Sequence, residues 1–223
     1  RMNVIVYTCI FGDCDSLKPA PKHVRAVCFV DDPSRFRDAK GWELIAHPTE
    51  TPRRTAWHLR CVPHELFPSY DAVIWVDASF TLTHVMPLLI DAGSYHISGL
   101  RHHARSNYHE EAKELVWNGS AFASDARLQC ETYRREGFRP SHLTISCIIV
   151  RRRTPQAEAF NRTWDAEIQK HRGDNTQVSI DYSAWKHGLV IHQLQGTRHQ
   201  NPYAVHDHED HKRRRKPYRL AGP

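Results

Sequence analysis

Residues 71–80 read DAVIWVDASF, and this stretch decides the fold class. Its apolar part, residues 73–76, is short and rich in β-branched and aromatic side chains, which predicts a buried strand. The strand ends on Asp77. A carboxylate is costly to bury among apolar side chains, so Asp77 must lie near water or meet a cation. The alternative is an aspartate that only shapes the turn after the strand.

Other parts of the chain repeat this design. Helical spacing of apolar residues, most regular in the helix that Thr154 and Pro155 are expected to begin, separates the short apolar runs. Strands alternating with helices predict an α/β fold of the Rossmann-like type, a mostly parallel central sheet flanked by helices. We expect a single domain over residues 2–200 and a basic, His-rich tail over residues 201–223. Strands are predicted at 3–11, 24–32, 41–47, 71–77, 96–100 and 143–152, and helices at 108–117 and 154–173. Residues 55–67 are predicted to be helical up to Pro63.

Composition narrows the class of protein. Of the 223 residues, 40% are hydrophobic and 25% charged, values that favour a folded chain over a disordered one. No apolar run is long enough for a membrane span and no signal-peptide pattern follows the N-terminus, so we expect a cytoplasmic protein. The six cysteines lie at irregular spacings without a CxxC pair, which argues against a disulfide framework or a zinc knuckle.

The positive charge is concentrated near the C-terminus. The chain carries a formal charge of +6, and residues 211–219 read HKRRRKPYR. Such a cluster attracts polyanions. One hypothesis is therefore a nucleic-acid-binding or DNA-modifying module, and a related one is a tail that holds a polyanionic acceptor such as DNA or a glycan. The remaining interpretation is a solvated tail without a ligand.

Acidic residues follow the first, second and fourth predicted strands, in GDCD, DDP and DAS. Ligands of parallel α/β sheets bind beyond the carboxyl ends of the strands, so these acids are expected to meet in one cleft. Mg²⁺ and Mn²⁺ prefer oxygen ligands and are commonly bound by one or two carboxylates together with substrate phosphates. The sequence therefore predicts a divalent cation at Asp77, with Ser79 contributing a hydroxyl. The motifs GxGxxG, GxxxxGK[ST], GxSxG and HExxH are absent from the sequence.

Several ordered segments resemble one known family. These are VIVYTCIFGDCD, VCFVDDP, TPRRTAWHLRCVPHELFPSYDAVIWVDAS, RHHARSNYHEEA and DNTQVSIDYSAWK. Together they resemble the glycosyltransferase-like proteins grouped as DUF616, which are similar to nucleotide-sugar transferases of the GT-A fold. The resemblance extends over residues 3–186. It implies a metal-dependent glycosyltransferase that moves a sugar from a UDP- or GDP-type donor to a hydroxyl acceptor.

The resemblance also implies the residues of the donor site. In place of the DxD motif of GT-A enzymes the chain has Asp77 and Ser79, a departure that leaves a catalytically inactive sugar-binding relative as an alternative. A further metal ligand is expected from a late histidine, His192 or His206. The nucleotide-sugar contacts implied are Thr8, Phe11, Gly12, Asp31, Asp32, Arg53, Arg54, Arg60, Asp77 and Ala78.

Catalytic and acceptor residues are expected from two further segments. GDNTQVSI resembles a later family motif, which implies Asp174 and Gln177 as catalytic residues, with Asp181 as another candidate acid. A carboxylate near the anomeric carbon suits a general base for the acceptor hydroxyl. In RHHARSNYHEE, we predict Glu111 as a catalytic residue and His103 and Arg105 as sugar or acceptor ligands. The alternative is that the glutamates only satisfy the first turn of a helix.

Overall fold

The computed structural model describes residues 2–12, 15–117, 123–171 and 176–207. In these ranges, seven strands form one sheet in the order β3-β2-β1-β4-β7-β6-β8. Two more strands, β5 and β9, form a separate antiparallel pair. The strands are β1 (Val4–Ile10), β2 (Arg25–Val30), β3 (Glu43–Ala46), β4 (Ala72–Val76), β5 (Phe80–Leu82), β6 (Ile97–Arg101), β7 (Thr144–Arg152), β8 (His192–Thr197) and β9 (Ala204–His206).

Helices cover the sheet on its two faces. They are α1 (Pro52–Cys61), α2 (Pro63–Leu66), α3 (Val85–Ala92), α4 (Tyr108–Trp117), α5 (Ala123–Arg135), α6 (Pro155–His171) and α7 (Gln177–Trp185). Within the described chain, none of these helices combines the length and the apolar character that a bilayer crossing requires. The prediction of a mixed α/β fold with a mostly parallel central sheet and flanking helices is confirmed.

β7 is the strand that departs from the parallel arrangement. It pairs antiparallel with both β4 and β6, whereas β1 pairs parallel with β2 and β4, and β6 with β8. β7 is buried at eight of its nine positions, so its apolar sequence is the same as that of a buried parallel strand and does not reveal its direction. As a result, the N-terminal end of β7 lies at the edge of the sheet where β4 ends.

Helix α6 follows its sequence closely. Pro155 is its first residue, and the Thr154 hydroxyl accepts a hydrogen bond from the Ala157 N–H at 3.2 Å, as expected of an N-cap. Phe160 and Trp164 are fully buried against the sheet, in the same core cluster as Tyr7 and Trp75. This cluster fills the face of the sheet that carries α1, α6 and α7, which is the face on which the site described below is built.

Candidate functional site

The order of the strands places a switch point between β1 and β4. The chain builds β1, β2 and β3 outward in one direction and then places β4 on the other side of β1. Ligands of open α/β sheets bind at such a point, beyond the carboxyl ends of the strands. Gly12 lies just beyond the end of β1, and Asp77 directly follows β4. The acids predicted to share a cleft are therefore at the same edge of the sheet.

Asp77 is held by a cation and by an indole. Its Oδ1 accepts hydrogen bonds from Arg60 Nη2 at 2.8 Å and from Trp75 Nε1 at 2.9 Å. The Arg60 guanidinium lies over the Trp75 ring, 4.7 Å from its centroid. In the described part of the chain, Asp77 Oδ2 accepts no hydrogen bond, and the side chain is 28% exposed. One carboxylate oxygen is thus fixed, and the other is available to a ligand.

Arg60 connects this carboxylate to the start of helix α7. Its Nη1 donates to Ser146 Oγ at 2.9 Å and to Thr176 Oγ1 at 3.0 Å, and these two hydroxyls lie 2.8 Å from each other. A guanidinium offers its donors in a fixed fork, so these acceptors set its orientation closely. Arg60 is therefore bound from both sides before any ligand arrives.

The next residue continues the network into a buried ion pair. Gln177 Nε2 donates to Glu111 Oε1 at 2.8 Å, and Arg105 Nη1 donates to Glu111 Oε2 at 2.7 Å. The Glu111 side chain is buried. Three residues predicted from two distant segments therefore meet here. Because both carboxylate oxygens of Glu111 have donors, the arrangement orients Gln177 and Arg105.

A group of imidazoles surrounds Arg105. His102 and His103 stack with their ring centroids 4.7 Å apart, and the His103 ring lies edge-on to His199 at 4.5 Å. Burial, followed by the charge of Arg105, lowers the pKa of His102 to about 4. Burial also lowers the pKa of His103. Both rings are therefore neutral near pH 7. The nitrogens of His102 already contact Arg105 and the Ala104 N–H, so the exposed His103 is the ring of this pair that can hydrogen-bond a hydroxyl group.

The predicted nucleoside contacts form a turn at the end of β1. The Gly12 N–H donates to Asp31 Oδ2 at 2.8 Å, and Arg35 bridges the Asp31 carboxylate and the Gly12 carbonyl at 3.0 and 2.9 Å. Gly12 has a φ of 63°, a conformation that suits glycine. Asp32 instead caps the short helical turn after β2, accepting from the Ser34 N–H.

Five further predicted contacts have structural surroundings of their own. Thr8 and Phe11 are buried on or next to β1, and Ala78 packs partly buried against the core between Asp77 and Ser79. Arg54 donates to Gln169 of α6 at 2.8 Å, and the Arg53 guanidinium lies 5.0 Å from the centroid of the Trp57 ring. Asp174 lies outside the described residues. Asp181 binds the backbone N–H and hydroxyl of Thr144, and burial raises its pKa.

The predicted metal ligands separate into two groups. Ser79 is buried beside Asp77, and His206 pairs with Phe80 through β5 and β9 while its ring stacks on Phe80 at 4.4 Å. His192 begins β8 at the opposite edge of the sheet, where its ring stacks on Tyr95 and its Nε2 lies 3.5 Å from Asp91. The structure therefore brings His206, and not His192, to the Asp77 region.

The side chains around Asp77 could supply only a few of the ligands of a divalent cation. Asp77 Oδ2 and the Ser79 hydroxyl have no hydrogen bond within the described ranges. His206 Nε2 accepts from Arg198 at 3.1 Å and would have to give up this bond to bind a metal. Among the residues that the structure describes, no group of three or more His, Cys, Asp or Glu side chains is arranged to hold a metal ion. Most ligands of such a cation would therefore come from a diphosphate and from water.

Sequence reasoning did not predict Ser146 and Thr176 as partners of Arg60. It also missed the contact of Lys18 with Asp207 at 3.0 Å, which fastens the end of β9 beside Ser79, whose carbonyl accepts from the Asp207 N–H. A signal was present for Ser146, because a hydroxyl inside the apolar run LTISCIIV needs a partner. No comparable signal exists for Thr176 or for the Lys18 contact, since both depend on segments distant in sequence.

The fold and the site together define an α/β protein with charged side chains at the switch point of its sheet. The family model described as TOD1/MUCI70, glycosyltransferase-like domain, matches residues 40–209, which is most of the chain. The chain therefore belongs to this family. The match confirms the predicted glycosyltransferase-like class, and membership implies a sugar donor and an acceptor. A comparison with curated proteins finds no match.

The matched region also bears on the extent of the fold. It continues past residue 200 and includes β9, which pairs with β5 next to Asp77. The segment assigned to the tail by sequence therefore contributes at least residues 204–207 to the folded structure. The basic cluster at 211–219 lies outside the described residues.

Proposed function

We propose that the chain is a glycosyltransferase of GT-A type that transfers a sugar from a UDP- or GDP-type donor to a hydroxyl group. The observation that carries the proposal is a pair of hydrogen-bonded groups, Asp77–Arg60–Thr176 and Gln177–Glu111–Arg105, joined by the peptide bond between Thr176 and Gln177. It places a fixed carboxylate and a fixed guanidinium at the switch point of the sheet, in a chain of a glycosyltransferase-like family.

The donor diphosphate is proposed to lie beside Asp77. Two anions in contact repel each other, so a diphosphate next to this carboxylate requires a cation between them. We propose Mn²⁺ or Mg²⁺, with Asp77 Oδ2 and the Ser79 hydroxyl as the protein ligands. When bound, the cation would neutralise charge on the departing nucleoside diphosphate.

Arg60 is proposed to stabilise the negative charge of the departing nucleoside diphosphate. Its position is set by Ser146, Thr176 and Asp77, so it needs no reorganisation when charge develops on the leaving group. Gly12 and Asp31 are proposed to contact the nucleoside, since a carboxylate accepts hydrogen bonds from ribose hydroxyls or a base N–H.

The acceptor is proposed to approach from the side of His103 and Arg105. Neutral imidazoles and a guanidinium are suitable partners for sugar hydroxyls. Glu111 fixes Gln177 and Arg105, and Asp174, two residues before Thr176 in sequence, is the proposed general base. The base would take the proton of the acceptor hydroxyl as the new glycosidic bond forms.

The basic C-terminal segment is proposed to favour a polyanionic acceptor. Residues 208–223 contain six Lys or Arg side chains against two acids, and the chain reaches this segment directly after Asp207 beside Ser79. Binding of a DNA oligonucleotide or an acidic glycan should weaken steeply between 50 and 200 mM salt, by the release of counterions. Binding that survives neutralisation of residues 211–219 would contradict this role.

The proposed function is tested by thermal shift with UDP-, GDP-, CMP- and dTDP-sugars, each with and without Mn²⁺. A ligand that binds the native state raises the melting temperature by mass action, about 2.7 kcal/mol of stabilisation at a hundred times its Kd. We expect a UDP- or GDP-sugar to shift the protein more with Mn²⁺, and Asp77→Asn to remove the Mn²⁺-dependent part and the transfer activity. Asp38→Asn, an exposed turn aspartate, is the control. Absence of any shift with all four donors would refute the proposal.

A further inference from the structure

A second polar cavity lies on the same face of the sheet at the opposite edge. Its volume is about 310 Å³, and it is enclosed by α2, the residues before β4, the end of β7 and the first half of α6. Its wall combines apolar side chains with charged and polar ones, which are Arg151, Arg152, Arg153, Arg162, His64, Asn161, Glu65 and Glu158. We propose that this cavity is a binding site for an oxyanion, a phosphate, sulfate or carboxylate group of a ligand.

Arg151 is the centre of the argument. Its side chain is 2% exposed, and a guanidinium stays charged at any ordinary pH. Nη1 donates to the Arg60 carbonyl at 2.7 Å and to Asn161 Oδ1 at 3.1 Å, and Nη2 donates to the Tyr7 hydroxyl at 2.8 Å. All three acceptors are neutral. Within the described ranges, Arg151 forms no salt bridge, and its buried Nε–H has no acceptor.

Asn161 lies between Arg151 and His64 and contacts both side chains. Because Asn161 Oδ1 accepts from Arg151, its amide nitrogen faces His64 Nδ1, at 3.4 Å. His64 Nδ1 is then an acceptor, and the ring hydrogen is on Nε2. The side chain of His64 is 8% exposed, and Nε2 makes no hydrogen bond, with Glu65 Oε1 3.5 Å away. The nearest acidic group to this buried N–H is therefore the Glu65 carboxylate, at a distance longer than a hydrogen bond.

A buried guanidinium that lines a cavity and has no carboxylate in contact within the described ranges indicates a site for a negatively charged group. An unpaired buried charge is costly, more so than a buried N–H without a partner. The rim adds Arg152, Arg153 and Arg162, and the two glutamates of the wall offset only part of this charge, with Glu158 already 3.5 Å from Arg162. An oxyanion in the cavity would balance the charge of the Arg151 guanidinium and of the rim arginines, whereas water carries no charge.

This site is separate from the cleft at Asp77. Arg151 pairs with Val73, and Asp77 follows four residues later, about 13 Å along the strand at about 3.3 Å per residue. The inference does not rest on the proposed transferase activity, because it concerns the affinity of an anion for another part of the protein. A chain without any sugar donor should bind it equally well.

The test is a titration of the full chain with sodium phosphate, sulfate and acetate, at a constant ionic strength that is set with chloride. Binding is monitored through the NMR signals of the His64 ring. We expect saturable His64 shifts, with phosphate or sulfate tighter than acetate if the ligand group is tetrahedral and the reverse if it is a carboxylate. Arg153→Ala and Arg162→Ala, both exposed on the rim, should each weaken binding roughly two- to fivefold. Arg127→Ala, an exposed arginine of α5, should leave the affinity unchanged.

Two outcomes would overturn the inference. Shifts that fail to saturate, that chloride reproduces, or that the rim variants leave unchanged would mean an adventitious ion only. Absence of any His64 shift with all three anions would mean that water alone fills the cavity. Because neither rim arginine is buried, both variants should fold, and their melting temperatures without anion provide the check.

Discussion

Two arginines on the same face of the sheet, Arg60 and Arg151, show how differently one side chain can be held. Arg60 pairs with a carboxylate, Asp77, at 2.8 Å and is partly reached by solvent. Arg151 is buried and bound only by a carbonyl, an amide oxygen and a hydroxyl. The first arrangement is close to neutral and leaves one carboxylate oxygen for a ligand. The second has no carboxylate in contact with the guanidinium within the described ranges.

The two arginines are also linked directly. Arg151 donates to the Arg60 carbonyl, and the Tyr7 hydroxyl donates to the same carbonyl at 3.0 Å and to that of Leu59 at 3.2 Å. These carbonyls lie in the last turn of α1, where helix carbonyls lack intrahelical partners and a cation compensates the dipole. Arg151 therefore holds the backbone from which the Arg60 side chain reaches Asp77. We expect Arg151 to determine stability and Arg60 to determine function.

Arg151→Met should have the largest effect on stability. It leaves Asn161 Oδ1 and the Tyr7 hydroxyl oxygen without their donor in a buried region, at roughly 1–3 kcal/mol for each unsatisfied group, while the Arg60 carbonyl keeps the hydrogen bond from Tyr7. We expect a loss of about 4 kcal/mol in the free energy of unfolding, measured by urea denaturation. Arg153→Met, at an exposed position two residues later, should change it by less than about 0.5 kcal/mol. Equal losses in the two variants would remove the distinction between a buried and a surface arginine.

Arg60→Met should mainly affect activity. Loss of one preorganised donor at a developing charge lowers kcat roughly 100- to 1000-fold. We expect a fall of about 100-fold in donor hydrolysis or transfer, with kcat falling more than KM rises. Arg60→Lys should restore part of it, because a lysine keeps the charge and loses the fork that reaches Ser146 and Thr176. If Arg60→Met retained full turnover, the network would be structural only.

His102→Asn should change the dependence of stability on pH. The pKa of His102 is about 4 in the folded chain, against an ordinary value near 6.5. Between these values the unfolded chain binds more protons, so stability rises with pH through this window, levels off above it, and is lost as the pH falls. The free energy of unfolding, measured by urea denaturation from pH 7 to 4, should therefore fall less for the variant, by about 3 kcal/mol at pH 4. His23→Asn, at an exposed position, should follow the unmodified chain.

Tyr7→Phe should give the smallest effect and test the link between the two arginines. It removes one hydroxyl that accepts from Arg151 and donates to α1, while the ring keeps its edge contacts with Phe67 and Trp75. One neutral hydrogen-bonding group is worth about 1 kcal/mol. A double-mutant cycle with Arg151→Met should show coupling between the positions. Strict additivity would mean that the hydroxyl and the guanidinium act independently.

Much of the sheet could be predicted from local pattern. The strands at 71–77 and 143–152 are continuous apolar runs, and the structure has β4 and β7 there. The short strands β5 and β9 could not be predicted, because each has three residues and is stabilised mainly by pairing with the other. Helix α7 was also missed, since it is buried nearly all round and its apolar residues show no helical stripe.

Part of the candidate site could likewise be predicted from the sequence, and part of it could not. Asp77 was predicted because an acid at the end of an apolar strand needs an explanation, and Gln177 and Glu111 because their segments resemble known ones. Their meeting through Arg105 was not predictable from spacing, since Glu111 and Gln177 are 66 residues apart. His192 and His206 look alike in sequence, and only the pairing of β9 with β5 separates them.

The sequence by itself determined the alternation of strands and helices, the acid at the end of β4 and the glycosyltransferase-like class, because periodicity, turn chemistry and ordered motifs are written in neighbouring residues. Only the tertiary structure decided the direction of β7, the partners of Arg60 and the unpaired charge of Arg151. These depend on which distant groups come within hydrogen-bonding distance. That outcome is fixed by burial, since each buried donor or acceptor must find a partner wherever the packed core places one.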